Sequence, residues 1–193
     1  MIFDAAESLP AASLRRLQEE RWRAQCERLA GHGFYAARLT AARGRGLEAL
    51  SALPFTRKQD LWDHYPFGLL AVDRQDVRRL HGTSGTKGRP TLAAYSADDL
   101  ELFRNVNARA LAAAGARPGS MVHNGYGYGL FTGGLGLHGG AEALGCCVLP
   151  ISGGQTARQV TLIVDLKPEV ICCTPSYAVL LGEALNAAGV GPA

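Results

Sequence analysis

"MVHNGYGYGLFTGGLGLHGGAEALGCCVL", residues 121–149, sets two short apolar runs on either side of a stretch of glycines and other small residues. "MVHNG" reads as a short strand and "GCCVLPI" (145–151) as another, while "LFTGGLGLHGGAEAL" (130–144) has the length of a helix made of small residues. The pattern then repeats. "TARQVTLIVDL" (156–166) reads as a helix and "EVICC" (169–173) as a strand. Thr174 caps a further helix with Pro175 at its first position, where the missing N–H is not needed. Strand and helix alternating in this way after residue 119 imply βαβ units and a parallel sheet with crossovers. Such sheets bind ligands beyond the carboxyl ends of their strands.

Working outward, "TLAAYS" (91–96) reads as a strand, and Ser96–Asp99 as a capping-box start for a helix over about 97–114. The sheet is therefore expected from about residue 91 onward. The first eighty residues are helical in character. "SLRRLQEERWRAQCERLAGHG" (13–33) puts Leu14, Leu17, Trp22, Cys26 and Leu29 on roughly half of a helix, with glycines ending it. Near Pro54, Thr56 is placed to cap a short helix from Arg57, supported by Asp60. "DVRRLH" (76–81) is a short helix or strand. The expected fold class is α/β, with an N-terminal helical region over 1–80 and an α/β part over 81–193.

Composition bounds the function. The 193 residues are 47% hydrophobic and 19% charged, with a net charge of +3. No basic block stands out: Arg15, Arg16, Arg21, Arg23 and Arg28 alternate with Glu19, Glu20 and Glu27, as on a solvated helix face. Nucleic acid is not an expected partner. No apolar run approaches the ~20 residues that span a bilayer, and "MIFDAAESLP" lacks a basic region followed by an apolar stretch. A cytoplasmic protein with no membrane partner is expected. The five cysteines (Cys26, Cys146, Cys147, Cys172 and Cys173) lack any CxxC or Cys/His ligand spacing, so they are expected to be small core residues in a reducing compartment, and no metal ligand is assigned. His81, His123 and His138 are lone histidines, read first as structural.

"HGTSGTKGRPT" (81–91) is different in kind: flexible, rich in hydroxyls and cationic. It is not a Walker A loop, because counting from Gly82 places Lys87 before Gly88 instead of after it, and it is not a GxGxxG fingerprint. One reading survives. Backbone N–H groups of consecutive flexible residues, hydroxyls of Thr83, Ser84 and Thr86, and the charge of Lys87 or Arg89 suit a polyphosphate; the glycines let the backbone approach, and Pro90 stiffens the exit.

On these residues the chain resembles the acyl-adenylate-forming superfamily, whose phosphate loop usually reads [ST]SGTTG[KR]P against "TSGTKGRP" here. "PFTRKQDLWDHYPFGLLAV", "YGYGLFTGGLGLHGGAEALGC", "PISGGQTARQV" and "ICCTPSY" resemble phenylacetate–coenzyme A ligases, in the right order over about residues 13–188. Lys87 replaces the second threonine of the family loop, and Arg89 stands where lysine is frequent. The resemblance implies a truncated version of the family's adenylate-forming fold. ATP, Mg2+ and coenzyme A would be its cosubstrates and a small aromatic carboxylic acid its substrate. Thr83, Ser84, Gly85, Thr86, Lys87, Gly88 and Arg89 would hold nucleotide phosphates, and Tyr126 and Phe131 would line the acyl pocket. No catalytic residue is assigned. The family's adenine and ribose contacts and lid lysine would lie beyond residue 193, so this chain is expected to be inactive alone and to form a homodimer. The alternative expectation is a non-catalytic truncated paralogue that binds aryl acid or nucleotide, or pairs with another subunit.

Overall fold

A computed structural model describes residues 1–83 and 90–191. The chain divides into two compact units, Ala5–Ser96 and Met1–Asp4 with Ala97–Ala193.

The Ala5–Ser96 unit is built on α1 (Ala11–Leu29), α2 (Gly33–Arg38) and α3 (Lys58–Asp63), linked by 3-10 turns at Leu39–Ala42 and Leu47–Ala52. On α1, Leu17, Trp22, Cys26 and Leu29 are half-buried as the periodicity predicts, whereas Leu14 is exposed. Polar ties hold the connecting turns to α1: Trp22 Nε1 donates to the Arg45 carbonyl (3.2 Å), and the Leu47 N–H donates to Glu19 Oε2 (2.9 Å). The short helix α3 starts one residue later than expected. Its cap is Arg57, not Thr56, because the Asp60 carboxylate reaches back to the Arg57 N–H at 2.7 Å. The same carboxylate accepts from Arg38 Nη2 at 2.9 Å, and the Arg38 guanidinium lies 3.7 Å over the Phe34 ring.

This unit ends in a hairpin, β1 (Arg79–Gly82) and β2 (Leu92–Tyr95), paired antiparallel with Gly82 opposite Leu92. The parallel sheet therefore does not begin near residue 91. The connection from Gly82 to Leu92 is too short for a parallel crossover, which takes a dozen or more residues.

The sheet lies in the other unit. There α4 (Ala97–Ala113) leads to β3 (Met121–Asn124), α5 (Gly133–Leu144), β4 (Cys147–Leu149), α6 (Thr156–Leu166), β5 (Val170–Cys172) and α7 (Pro175–Ala187). The strand order is β4-β3-β5, all parallel, with Val122 opposite Val148 and Val170. Two successive βαβ crossovers produce this α/β layout, as the alternation predicts. Central β3 is the most covered strand, with Val122, His123 and Asn124 fully buried. Val122 and Cys172 join Ala108, Leu111 and Ala112 of α4 and Ala141 and Leu144 of α5 in one core. The small residues of α5 let it lie hard against α4: a Cβ on Gly140 would overlap the Asn107 side chain and come within 2.8 Å of the Ala108 nitrogen. At the sheet's lower end the Glu169 carboxylate accepts the Met121 N–H at 2.7 Å, which, with its own backbone N–H, holds it below the ordinary carboxylate range.

The cysteines depart from the expected pattern. All five are free, but only Cys172 is buried, and Cys147 is exposed because β4 is an edge strand. Among the described residues no helix is long and apolar enough to cross a membrane.

Candidate functional site

All three parallel strands stop at the same end of the sheet, at Asn124, Leu149 and Cys172. The residues that follow them surround an open cleft of about 480 Å³. Gly125, Tyr126 and Gly127 form one wall, Gly153 and Gly154 a second, and Thr174, Ser176, Tyr177 and Leu180 at the start of α7 the third. Parallel strands put their loops here because each crossover returns the chain to the opposite end of the sheet.

The second wall is held in an uncommon backbone conformation. Ser152 (φ 68°) and Gln155 (φ 51°) are left-handed without being glycine, at a cost of ~1–2 kcal/mol per residue. Gln159, fully buried on α6, offsets that cost: its Nε2 donates to the carbonyls of Ser152 (2.9 Å) and Gly154 (2.7 Å). Its Oε1 is then left to accept from His123 Nε2 at 2.8 Å. Tyr177 adds a third tie, donating its hydroxyl to the Gly154 carbonyl at 3.1 Å.

The first wall is pinned from the other side. Asn124 is fully buried, and its amide donates to the Gly134 carbonyl (2.9 Å) and to the Tyr128 hydroxyl (2.7 Å), while its oxygen accepts the Tyr126 N–H (3.3 Å). The chain returns so closely that a Cβ on Gly134 would stand 2.5 Å from the Gly127 carbonyl oxygen. The segment is thus a closed bend in which the two tyrosines point apart. Tyr126 packs towards Gly133 and the core, and Tyr128 turns its hydroxyl back to Asn124 and His138. Burial raises the Tyr128 phenol above its ordinary value, so it keeps its proton.

Of the residues predicted from sequence, Tyr126 lines the cleft. Phe131 lies outside that lining and is 64% exposed. Thr83 sits at the end of the hairpin, where its N–H donates to the Thr91 carbonyl (3.1 Å) and its hydroxyl accepts the Thr91 N–H (3.0 Å). Ser84, Gly85, Thr86, Lys87, Gly88 and Arg89 lie outside the described residues. His81 is buried and meets the Tyr95 ring edge-on at 5.4 Å. Among the described residues no three His, Cys, Asp or Glu side chains come together as metal ligands, so none is assigned to Mg2+. Sequence reasoning missed Tyr177 and Gln159. The signal for Tyr177 was present: an aromatic in the first turn of a helix that directly follows a parallel strand faces the ligand end of the sheet.

No family model matches the chain. Curated proteins do. The chain is 58% identical to the phenylacetate–coenzyme A ligase of Thermus thermophilus, over 96% of this chain and 43% of that protein. It is 53% identical to the enzyme of the same name from Pseudomonas putida, over 76% of this chain and 33% of that protein. The chain is homologous to the N-terminal part of phenylacetate–coenzyme A ligases. It spans about 43% of the length of the Thermus relative. Solved structures agree on the fold. A 2-hydroxyisobutyryl-CoA ligase in complex with 2-HIB-AMP and CoA in its thioesterification state superimposes with a TM-score of 0.86 at 30% identity, over 95% of this chain and 42% of that one. An open conformation of that ligase gives 0.85 at 29% identity. The α/β unit described above is thus a partial adenylate-forming fold, as the resemblance to the phenylacetate–coenzyme A ligases implies.

Proposed function

We propose that this chain carries the phosphate loop and part of the acid pocket of a phenylacetate–coenzyme A ligase. The observation that supports this most is the cleft at the carboxyl ends of β3, β4 and β5, with Tyr126 on one wall and Tyr177 on another. In such a reaction a carboxylate oxygen attacks the α-phosphorus of ATP, the bond to the β-phosphate oxygen breaks, and pyrophosphate leaves. The thiol of coenzyme A then attacks the acyl carbon of the adenylate and AMP leaves with the bonding electrons.

Negative charge collects on the departing pyrophosphate, and donors fixed around it in advance stabilise the transition state. Residues 83–89 have the composition for that role: Thr83, Ser84 and Thr86 supply hydroxyls, Gly85 and Gly88 let backbone N–H groups approach, and Lys87 and Arg89 supply charge. The acid's ring lies against Tyr126 in the cleft, and Phe131, exposed outside the cleft lining on the same glycine-rich segment, is its proposed second contact on the strength of the resemblance alone. Burying ~100 Å² of ring against such a wall is worth ~2.5 kcal/mol. The remaining lining carries the hydroxyl residues Thr174, Ser176 and Tyr177, which suit a carboxylate.

The test is a comparison of requirements. Replacing Tyr126 or Phe131 with alanine is expected to raise the concentration of phenylacetate needed for adenylation more than that of ATP. Loss of ATP affinity with unchanged acid affinity would contradict the assignment of this segment to the acid.

A further inference from the structure

Four side chains run in one hydrogen-bonded line behind the first wall of the cleft. Asn124 Nδ2 donates to the Tyr128 oxygen at 2.7 Å, Tyr128 meets His138 Nδ1 at 3.1 Å, and His138 Nε2 meets Glu142 Oε1 at 3.1 Å. Their polarity is settled from the buried end. The Asn124 amide nitrogen must donate, because its other bond goes to the Gly134 carbonyl. The Tyr128 oxygen therefore accepts, and its own proton is free for His138 Nδ1. With Nδ1 accepting, the His138 proton sits on Nε2, where it faces the Glu142 carboxylate. Every donor has an acceptor and the line ends on a surface carboxylate. The Tyr128 and His138 rings also meet edge-on at 5.7 Å.

The location gives the line its consequence. Gly125, Tyr126 and Gly127 are the first wall of the cleft, and the two residues that bracket them, Asn124 and Tyr128, are the two members of the line nearest the sheet. Glycines on either side of Tyr126 leave this wall with little stiffness of its own. We propose that Tyr128, His138 and Glu142 are positioning residues: they hold the wall in its acid-binding shape and so set the affinity of the cleft for the acid without touching it. The part concerning the acid rests on the function proposed above; the part concerning the wall does not.

Two readouts separate the parts. The first needs no ligand. The amide protons of Tyr126 and Tyr128, bonded to Asn124 Oδ1 and Ser152 Oγ, report whether the wall is held. In Tyr128→Phe and in His138→Leu they are expected to exchange with solvent roughly 3- to 10-fold faster, the loss of one ordinary hydrogen bond. The double variant should be no faster than the quicker single one, since both break the same line. His138→Asn, which keeps an acceptor near the Nδ1 position, should restore slow exchange. Glu142→Gln, at an exposed position, should show a smaller change in the same direction. The second readout is phenylacetate affinity by calorimetry, expected to fall roughly 3- to 10-fold in the two single variants and to recover in His138→Asn.

Unchanged exchange in Tyr128→Phe and His138→Leu, or additive effects in the double variant, would overturn the proposal. So would faster exchange with unchanged acid affinity in a parent protein that binds the acid. A parent protein that binds no phenylacetate would instead contradict the proposed function, and the exchange measurements would still decide whether the line holds the wall.

Discussion

Asp60 shows how much one carboxylate can tie together. It accepts the Arg57 N–H and the Arg38 guanidinium, and these contacts, the backbone bond first, hold its carboxyl below the ordinary carboxylate range. A depressed folded-state value means stability that is present above the unfolded value of ~3.9 and is lost as pH falls through the folded one. Asp60→Asn is therefore expected to lower the urea midpoint of the Ala5–Ser96 unit at pH 7. The difference from the parent should shrink as the pH is lowered below ~3.9. A gap independent of pH would show that the carboxylate's charge is not what matters. At the proposed phosphate loop, Lys87→Ala and Arg89→Ala are each expected to weaken ATP or pyrophosphate binding. A charge-assisted contact of ~1.5–3 kcal/mol corresponds to about one to two decades in affinity. Unchanged nucleotide affinity in both variants, measured by calorimetry, would reduce the loop to a surface turn.

Single residues were legible in the sequence where local chemistry decides them. Thr174 and Pro175 announce α7, and the helix starts there. They were illegible where a distant partner decides. Nothing near Tyr128 in sequence says that its hydroxyl turns back to Asn124 and His138, and nothing near Gln159 says that it supports Ser152 and Gly154.

Among the elements, period and punctuation carried most of the reading. Each helix and strand expected after residue 119 is present, with ends moved by a few residues, because alternating apolar runs and small-residue helices have few other ways to bury themselves. The pairing of β2 was not legible: a strand reads the same whether its neighbour is parallel or antiparallel, and only the short link to β1 decides. Helix α5 is the element most exposed to substitution. Because Gly140 packs against Asn107 and Ala108, Gly140→Val must push α5 away from α4. Overpacking of this kind costs ~1–3 kcal/mol, and thermal unfolding is expected to show a Tm several degrees lower. An unchanged Tm would mean that the α4–α5 contact is looser than described.

For the molecule as a whole, the arrangement that matters is three strand ends opening on one cleft, with its second wall supported by Gln159 and its first by Asn124. The residues that make this end of the sheet are spread over Asn124 to Leu180, so the cleft was visible in the sequence only as a place and not as a set of side chains. The most direct test is a titration of the protein with phenylacetate followed through its backbone amide resonances. The shifts should concentrate at Gly125, Gly127, Gly153, Gly154 and Tyr177, with half-saturation in the millimolar range or tighter (about −4 kcal/mol or more favourable). Shifts confined to other surfaces, such as the groove beside Trp22 and Arg43, or no shifts at millimolar acid, would contradict the placement of the acid in this cleft.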